Sequence, residues 1–125
     1  MSGWLFCLVA LGGGLGAALR FVVDGLTMRR VRSGFPWGTF LVNSTGSFVL
    51  GLVTGLAASS VLSAEWLAVL GAGAMGGYTT FSTAAVDTAR MLQRRRFGRA
   101  LGNGAGMLVV TVAAALAGLV VGRAV

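Results

Sequence analysis

Four long apolar stretches, with arginines gathered in the first and third of the turns between them, leave this chain one environment, a lipid bilayer. The first stretch, Met1 to Leu19, passes nineteen residues without a charge, enough to cross a hydrocarbon core as a helix. A secretory signal carries its basic residues ahead of the apolar core, whereas here the first one, Arg20, follows it. The stretch is therefore read as a retained helix and not as a cleaved leader. With 56% hydrophobic residues in 125, no polar block remains from which a soluble domain could be built. We expect an all-α integral membrane protein of one domain, residues 1–125, with four transmembrane helices at about 4–23, 37–62, 66–91 and 100–121.

The charges say which way the helices run. All ten basic residues are arginine against three acids, a net charge of +7. A chain this basic suggests nucleic acid, but its arginines cluster beside the apolar segments, where anionic lipid headgroups account for them. Arg29, Arg30 and Arg32 fall in the first turn, and five more, Arg90 to Arg99, in the third. The N-terminus and the second turn hold none. The positive-inside rule then places the first and third turns in the cytoplasm and both termini outside, in the cell inner (plasma) membrane. Cys7 alone makes no internal disulfide, and without histidine there is no reason to expect a zinc site.

The third apolar segment contains the least expected stretch, Gly76-Gly77-Tyr78-Thr79-Thr80-Phe81-Ser82-Thr83. Two adjacent glycines weaken a helix, and four hydroxyls lie where polar groups are costly. A break at such depth survives only where protein or a water-filled cavity satisfies the freed backbone, and it is also how membrane proteins build ion sites at the midplane. Polar residues recur on neighbouring segments. Thr39, Asn43 and Ser47 share one face of the second, and Asn103, Met107 and Thr111 one face of the fourth. A threonine or serine can bond back to its own helix. The Asn43 amide cannot be fully satisfied that way and should face a partner helix, water or a ligand. Asp87, near the end of the third segment, either pairs with Arg90 or faces a vestibule, and we favour the pair.

Glycines supply the packing surfaces. Gly12-Gly13-Gly14-Leu15-Gly16-Ala17 fits a dinucleotide fingerprint, but that signal needs a preceding strand and a βαβ unit, which this chain lacks. The simpler reading is a G-x-x-x-G face that lets another helix approach closely. Similar pairs recur at Gly51 and Gly55, Gly73 and Gly77, Gly102 and Gly106, and Gly118 and Gly122.

Gly16-Ala17-Ala18-Leu19-Arg20, Gly38-Thr39-Phe40-Leu41-Val42-Asn43 and the Gly76 to Thr83 stretch, in this order and spacing, resemble the Fluc/CrcB fluoride channels, four-helix proteins that pair as antiparallel dimers with two pores. The resemblance covers nearly the whole chain. It implies a structural sodium ion at the dimer centre, held by the backbone carbonyls of Gly76 and Thr79, and carbonyl oxygens suit a hard cation. It also implies a fluoride pore. A small, strongly hydrated anion needs donors that replace its water without trapping it. Asn43, Ser82 and Thr83 can donate, the positive edge of the Phe81 ring can face the ion, and Thr39 and Thr111 are weaker pore candidates. Arg20 would attract anions at a vestibule or snorkel to the headgroups, two readings of equal weight.

Departures from the family pattern are informative. The motif normally continues with a second phenylalanine where this chain has Ala84. The tyrosine and two serines usual on the fourth helix are replaced by Asn103, Met107 and Thr111. A homodimer must insert in both orientations, which needs balanced turns, yet here the arginines are biased eight to one even with Arg123 counted on the other side. The expected partner is therefore a related chain inserted the opposite way, with a homodimer as second choice and one of the two pores degraded. A non-conducting scaffold subunit is the competing reading. A small multidrug-type transporter would need a membrane-embedded acid that the first segment lacks. An enzyme is not expected, because the chain offers no paired acids at the midplane and no histidine.

Overall fold

The computed structural model describes residues 2–31 and 33–125; Arg32 of the first arginine-bearing turn lies outside the described residues. Helix α1 is Gly3–Arg30 and α2 is Trp37–Ala58. Helix α3 covers 64–78 and α4 is Phe81–Gln93. Helix α5, Phe97–Ala124, completes an all-helical chain. Three helices, α1, α2 and α5, are each long and apolar enough to cross a membrane unaided. The expected third crossing is split into α3 and α4, which at about 1.5 Å per residue give roughly 22 and 20 Å of helix on either side of a two-residue gap.

Helix boundaries differ from the sequence reading in ways the contacts explain. Helix α1 continues past Val23 to Arg30, because that extra length packs on the start of α2. The Gly38 N–H donates to Met28 Sδ at 3.4 Å, and the Asp24 carboxylate lies where a side chain at Gly38 would be. Arg29 and Arg30 then sit in the last turn, where cations favour the helix dipole. Helix α2 stops at Ala58 and not Leu62. Ser60 takes a left-handed φ of 62°, Val61 N–H returns to Leu56 O, and Ser59 Oγ donates to the terminal Gly122 and Arg123 carbonyls of α5. The expected loop from Arg90 to Arg99 shrinks to a turn of three residues, because arginine is a good helix former and α4 and α5 absorb the rest.

Two helix pairs carry the packing, α1 on α3 and α2 on α5. A methyl group at Gly16 would collide with the Ala74 carbonyl, and one at Gly77 with the Gly13 carbonyl. Gly51, Gly55, Gly118 and Gly122 meet the backbone of the opposing helix in the α2–α5 pair in the same way. Four of the five small-residue pairs thus do what close helix approach requires. The fifth does not: Gly106 has no neighbour within 4 Å and Gly102 only the Phe35 ring at 4.0 Å. Wide π-helical turns occupy Ala68–Met75 of α3 and Gly102–Gly106 of α5. Two contacts set which ends lie together. Arg99 Nη1 donates to Ser33 O at 2.9 Å, so the first and third turns share one side, and Ser59 joins the second turn to the far end of α5.

Candidate functional site

The gap between α3 and α4 falls on Thr79 and Thr80, not on the two glycines. Gly76 and Gly77 remain helical, and Gly77 is used for the approach of α1. Thr79 and Thr80 are extended, with φ,ψ of −83°,159° and −146°,117°, as suits β-branched residues. Asn43 of α2 fixes this conformation. Its Oδ1 accepts the Thr80 N–H at 2.8 Å while its Nδ2 donates to the Thr80 carbonyl at 2.9 Å. Both backbone groups of Thr80 are thereby satisfied, as low-dielectric surroundings demand. The remaining Nδ2 proton goes to Met107 Sδ of α5 at 3.2 Å. Thr80 then caps α4: its Oγ1 accepts the Thr83 N–H at 3.3 Å and donates to Thr83 Oγ1 at 3.1 Å.

Thr80 is the functional-region residue that sequence reasoning missed. The signal was present, a hydroxyl three residues before Thr83 at the start of a helix, but it lay within a run of four hydroxyls that look equivalent in the sequence. Asn43 was expected to face a partner helix, water or a ligand, and it faces a partner helix. Its amide is fully engaged by Thr80 and Met107, and the side chain is only 8% exposed.

Two clefts flank this clamp. One, of about 280 Å³, lies between α1, α2 and α4 and is lined by Arg20, Asp24, Thr39, Thr80 and Thr83. It adjoins a cavity of about 400 Å³ that Asp24, Thr39 and Thr83 also line, with Asp87, Arg90, Arg94 and Arg96. Asp87 and Arg90 thus face one space together with Asp24. The other cleft, about 580 Å³, lies between α2, α4 and α5 and includes Asn43, Phe81, Asn103, Met107 and Thr111. Its size follows from small residues at Ala84, Ala85, Ala89 and Gly104. The expected pore residues are therefore not one cluster. Thr39, Thr83 and Arg20 share the first cleft, while Phe81 and Thr111 line the second. Asn43 lines the second cleft only, although it stands at the clamp. Ser82 is exposed beside Thr80 Oγ1 at 3.4 Å and lines none of these spaces. Phe81 is 88% exposed at the first turn of α4.

A hard cation would find backbone oxygen at the end of α3. In an unbroken helix the Thr80 N–H would bond Gly76 O, but Asn43 has taken it. Among the described residues no backbone donor outside the helices reaches Gly76 O or Thr79 O. Met75 O, by contrast, is used twice, by Thr79 N–H and Thr79 Oγ1. The carbonyls of Gly76 and Thr79 therefore fit the requirement for cation ligands.

These features define a class, multi-pass helical membrane proteins with a polar break inside one apolar segment. The chain belongs to the CrcB family, described as "CrcB-like protein, Camphor Resistance (CrcB)", which matches it over residues 7–122. It is 51% identical to the fluoride-specific ion channel FluC 1 of Leifsonia xyli subsp. xyli, over 91% of this chain and 83% of that one. It is 42% identical to the fluoride-specific ion channel FluC of Caulobacter vibrioides, over 94% of each. It is 43% identical to that of Thermus thermophilus, over 77% of each. These relatives are named as ion channels, which are not enzymes.

Proposed function

We propose that this chain is a subunit of a fluoride channel that lets cytoplasmic fluoride leave passively, down its gradient. The observation that carries the reading is the Thr79–Thr80 break, held open by Asn43 and edged by hydroxyls, in a chain whose relatives are named as fluoride-specific channels. A passive anion path needs donors that compensate dehydration at modest affinity. Thr39, Ser82, Thr83 and the Phe81 ring edge are the groups proposed to meet the ion, with Thr111 a weaker member and Arg20 drawing anions to the entrance. Asn43 joins them at the clamp. A sodium ion on the Gly76 and Thr79 carbonyls would fix the end of α3.

The working unit is proposed to be an antiparallel dimer in the cell inner membrane with the arginine-rich turns cytoplasmic. Phe81, Ser82 and Thr83 are exposed on the isolated chain, and a second chain crossing beside the break would cover them. The arginine bias favours an oppositely inserted relative as that second chain. A non-conducting scaffold is a second reading, favoured by Ala84 and Met107 in the large cleft.

Fluoride efflux from liposomes tests this, with the chain alone and with the chain co-expressed with a relative of opposite arginine bias. Efflux only from the pair supports the heteromeric channel, and efflux from the chain alone shows a homodimer. If neither conducts, the channel reading fails.

A further inference from the structure

We infer that the joined first and third turns form a binding site for the phosphodiester of an anionic membrane lipid, built by Arg96 and Arg99 over Gly34. The site goes beyond the channel reading and does not depend on it. It starts from two cations held over one point. Gly34 takes a left-handed φ of 78°, and Arg99 Nη1 and Arg96 Nη1 lie 2.9 and 3.8 Å from where a Cβ at Gly34 would stand. Arg99 is fixed there by its bond to Ser33 O at 2.9 Å. Among the described residues neither guanidinium has a carboxylate partner. Two like charges so close repel each other, and one shared anion turns that repulsion into attraction.

The chain's own acids do not supply that anion. Glu65 stands in the second turn, at the other end of the molecule. Asp24 and Asp87 line the 400 Å³ cavity with Arg90, Arg94 and Arg96. Asp87 comes seven residues before Arg94, about 10 Å back along α4, with Arg90 three residues away as its nearest base in the sequence. Asp24 fills the space at Gly38 and also lines the cleft beside the break. Both acids thus sit inward of the Gly34 point. Ser33 adds a donor to that point: its Oγ accepts from the Phe35 N–H at 3.4 Å and from Trp37 Nε1 at 3.1 Å, which leaves its own proton free.

The third turn also carries arginine where its backbone favours glycine. Helix α4 ends with the Arg96 N–H returning to Met91 O at 2.8 Å and with Arg95 at a φ of 57°, the position where glycine is the least strained choice. Depth decides where the phosphate comes from. Phe97 and Leu101, 61% and 68% exposed, share one face at the start of α5, and Trp37, 43% exposed, opens α2. The lipid-facing apolar surface therefore begins within a turn of Arg96 and Arg99, which puts the guanidiniums at headgroup level. Their planar forks match phosphate oxygens in pairs. A headgroup with net negative charge satisfies them, whereas a zwitterionic one brings its own ammonium.

The test is the thermal unfolding midpoint of the full chain in neutral detergent, titrated separately with phosphatidylglycerol, phosphatidylcholine and inorganic phosphate. Phosphatidylglycerol at about ten times its dissociation constant is expected to raise the midpoint by roughly 5 °C, and the other two to leave it unchanged. Arg96→Gln leaves the Arg99–Ser33 bond intact and is expected to remove most of the rise. Arg96→Lys is expected to restore little of it, because an ammonium offers no planar fork. Arg123→Gln loses the same charge at the opposite end and is expected to keep the rise. An Arg96→Gln protein that responds like the wild type overturns the site, and so does full recovery in Arg96→Lys, which would leave only a diffuse attraction. An equal rise with phosphatidylcholine overturns the requirement for net charge, and an equal rise with inorganic phosphate overturns the lipid as its source. No rise with any of the three overturns the inference altogether. None of these readings involves fluoride, so their failure is distinct from failure of the channel reading.

Discussion

Replacing Asn43 separates what its amide does for the fold from what charge does to an anion. In Asn43→Ala the Thr80 N–H and C=O lose the partners they hold at 2.8 and 2.9 Å. A buried backbone group left unsatisfied costs about 1–3 kcal/mol, so the variant should lose roughly 2–6 kcal/mol if no water enters. The loss should fall on the break itself, since α2 would keep its glycine contacts with α5. Asn43→Asp differs: a carboxylate still accepts the Thr80 N–H but sets its second oxygen against the Thr80 carbonyl. It also adds a full charge beside the proposed path. At about 5 Å and an effective dielectric near 20, that charge raises the energy of a passing anion by about 3 kcal/mol, or a factor of about one hundred in flux. The assays are thermal unfolding in detergent with and without sodium, and fluoride efflux from liposomes. Asn43→Ala should melt early and respond weakly to sodium, and Asn43→Asp should lose efflux by about two orders of magnitude. An Asn43→Ala protein that melts like the wild type would refute the clamp. An Asn43→Asp protein that conducts normally in every pairing would refute the placement of the path.

Three further outcomes follow from the same contacts. Gly16→Ala drives a methyl into the Ala74 carbonyl and should prevent a stable fold, whereas Gly106→Ala meets open space and should be neutral or slightly stabilising; size-exclusion profiles of the two variants decide. Thr80→Val removes the α4 cap and should cost about 1 kcal/mol, seen as a lower midpoint in thermal unfolding, while Thr83→Val keeps the cap and should only slow efflux. Exchanging Arg94, Arg95 and Arg96 for glutamine while adding arginines to the second turn should invert insertion, read by topology reporters fused to the C-terminus; unchanged orientation would show that the arginine bias does not set it.

The helical class, the interruption of the third apolar segment and four of the five close-packing glycine pairs were legible because each follows from local rules. These are apolar length, a cluster of hydroxyls in an apolar run, and small residues spaced by four. The position of the break was not legible. Gly76 and Gly77 are the weakest helix formers in the stretch, yet they stay helical because α1 needs the space at Gly77, a demand written in the first segment and not in the third. Asn43 lies 37 residues from Thr80, and no local pattern says that it would take both backbone groups of that one residue. The split of Thr39 and Thr83 from Thr111 was equally hidden. It depends on which side of α4 each helix passes, and helical spacing within one segment does not report that.

The clamp also bears on the proposed pairing of two chains. Asn43 satisfies the backbone of the break from inside the chain, so the break needs no partner to exist. The first turn of α4 is different: Phe81, Ser82 and Thr83 are exposed, and hydroxyls bordering hydrocarbon are costly unless water or protein meets them. Lengthening the chain would not supply that cover, because α1 and α2 already occupy one side of α4 and α5 the other. A second broken crossing brought beside the first would cover both at once and would set two ends of α3, with their free Gly76 carbonyls, near each other. Under the proposed pairing, the step that completes the hydroxyl-lined path would therefore also bring together the carbonyls proposed to hold sodium. Sodium dependence of dimer stability and loss of fluoride efflux should then rise and fall together across variants of the break, and a variant that keeps one while losing the other would separate the two sites.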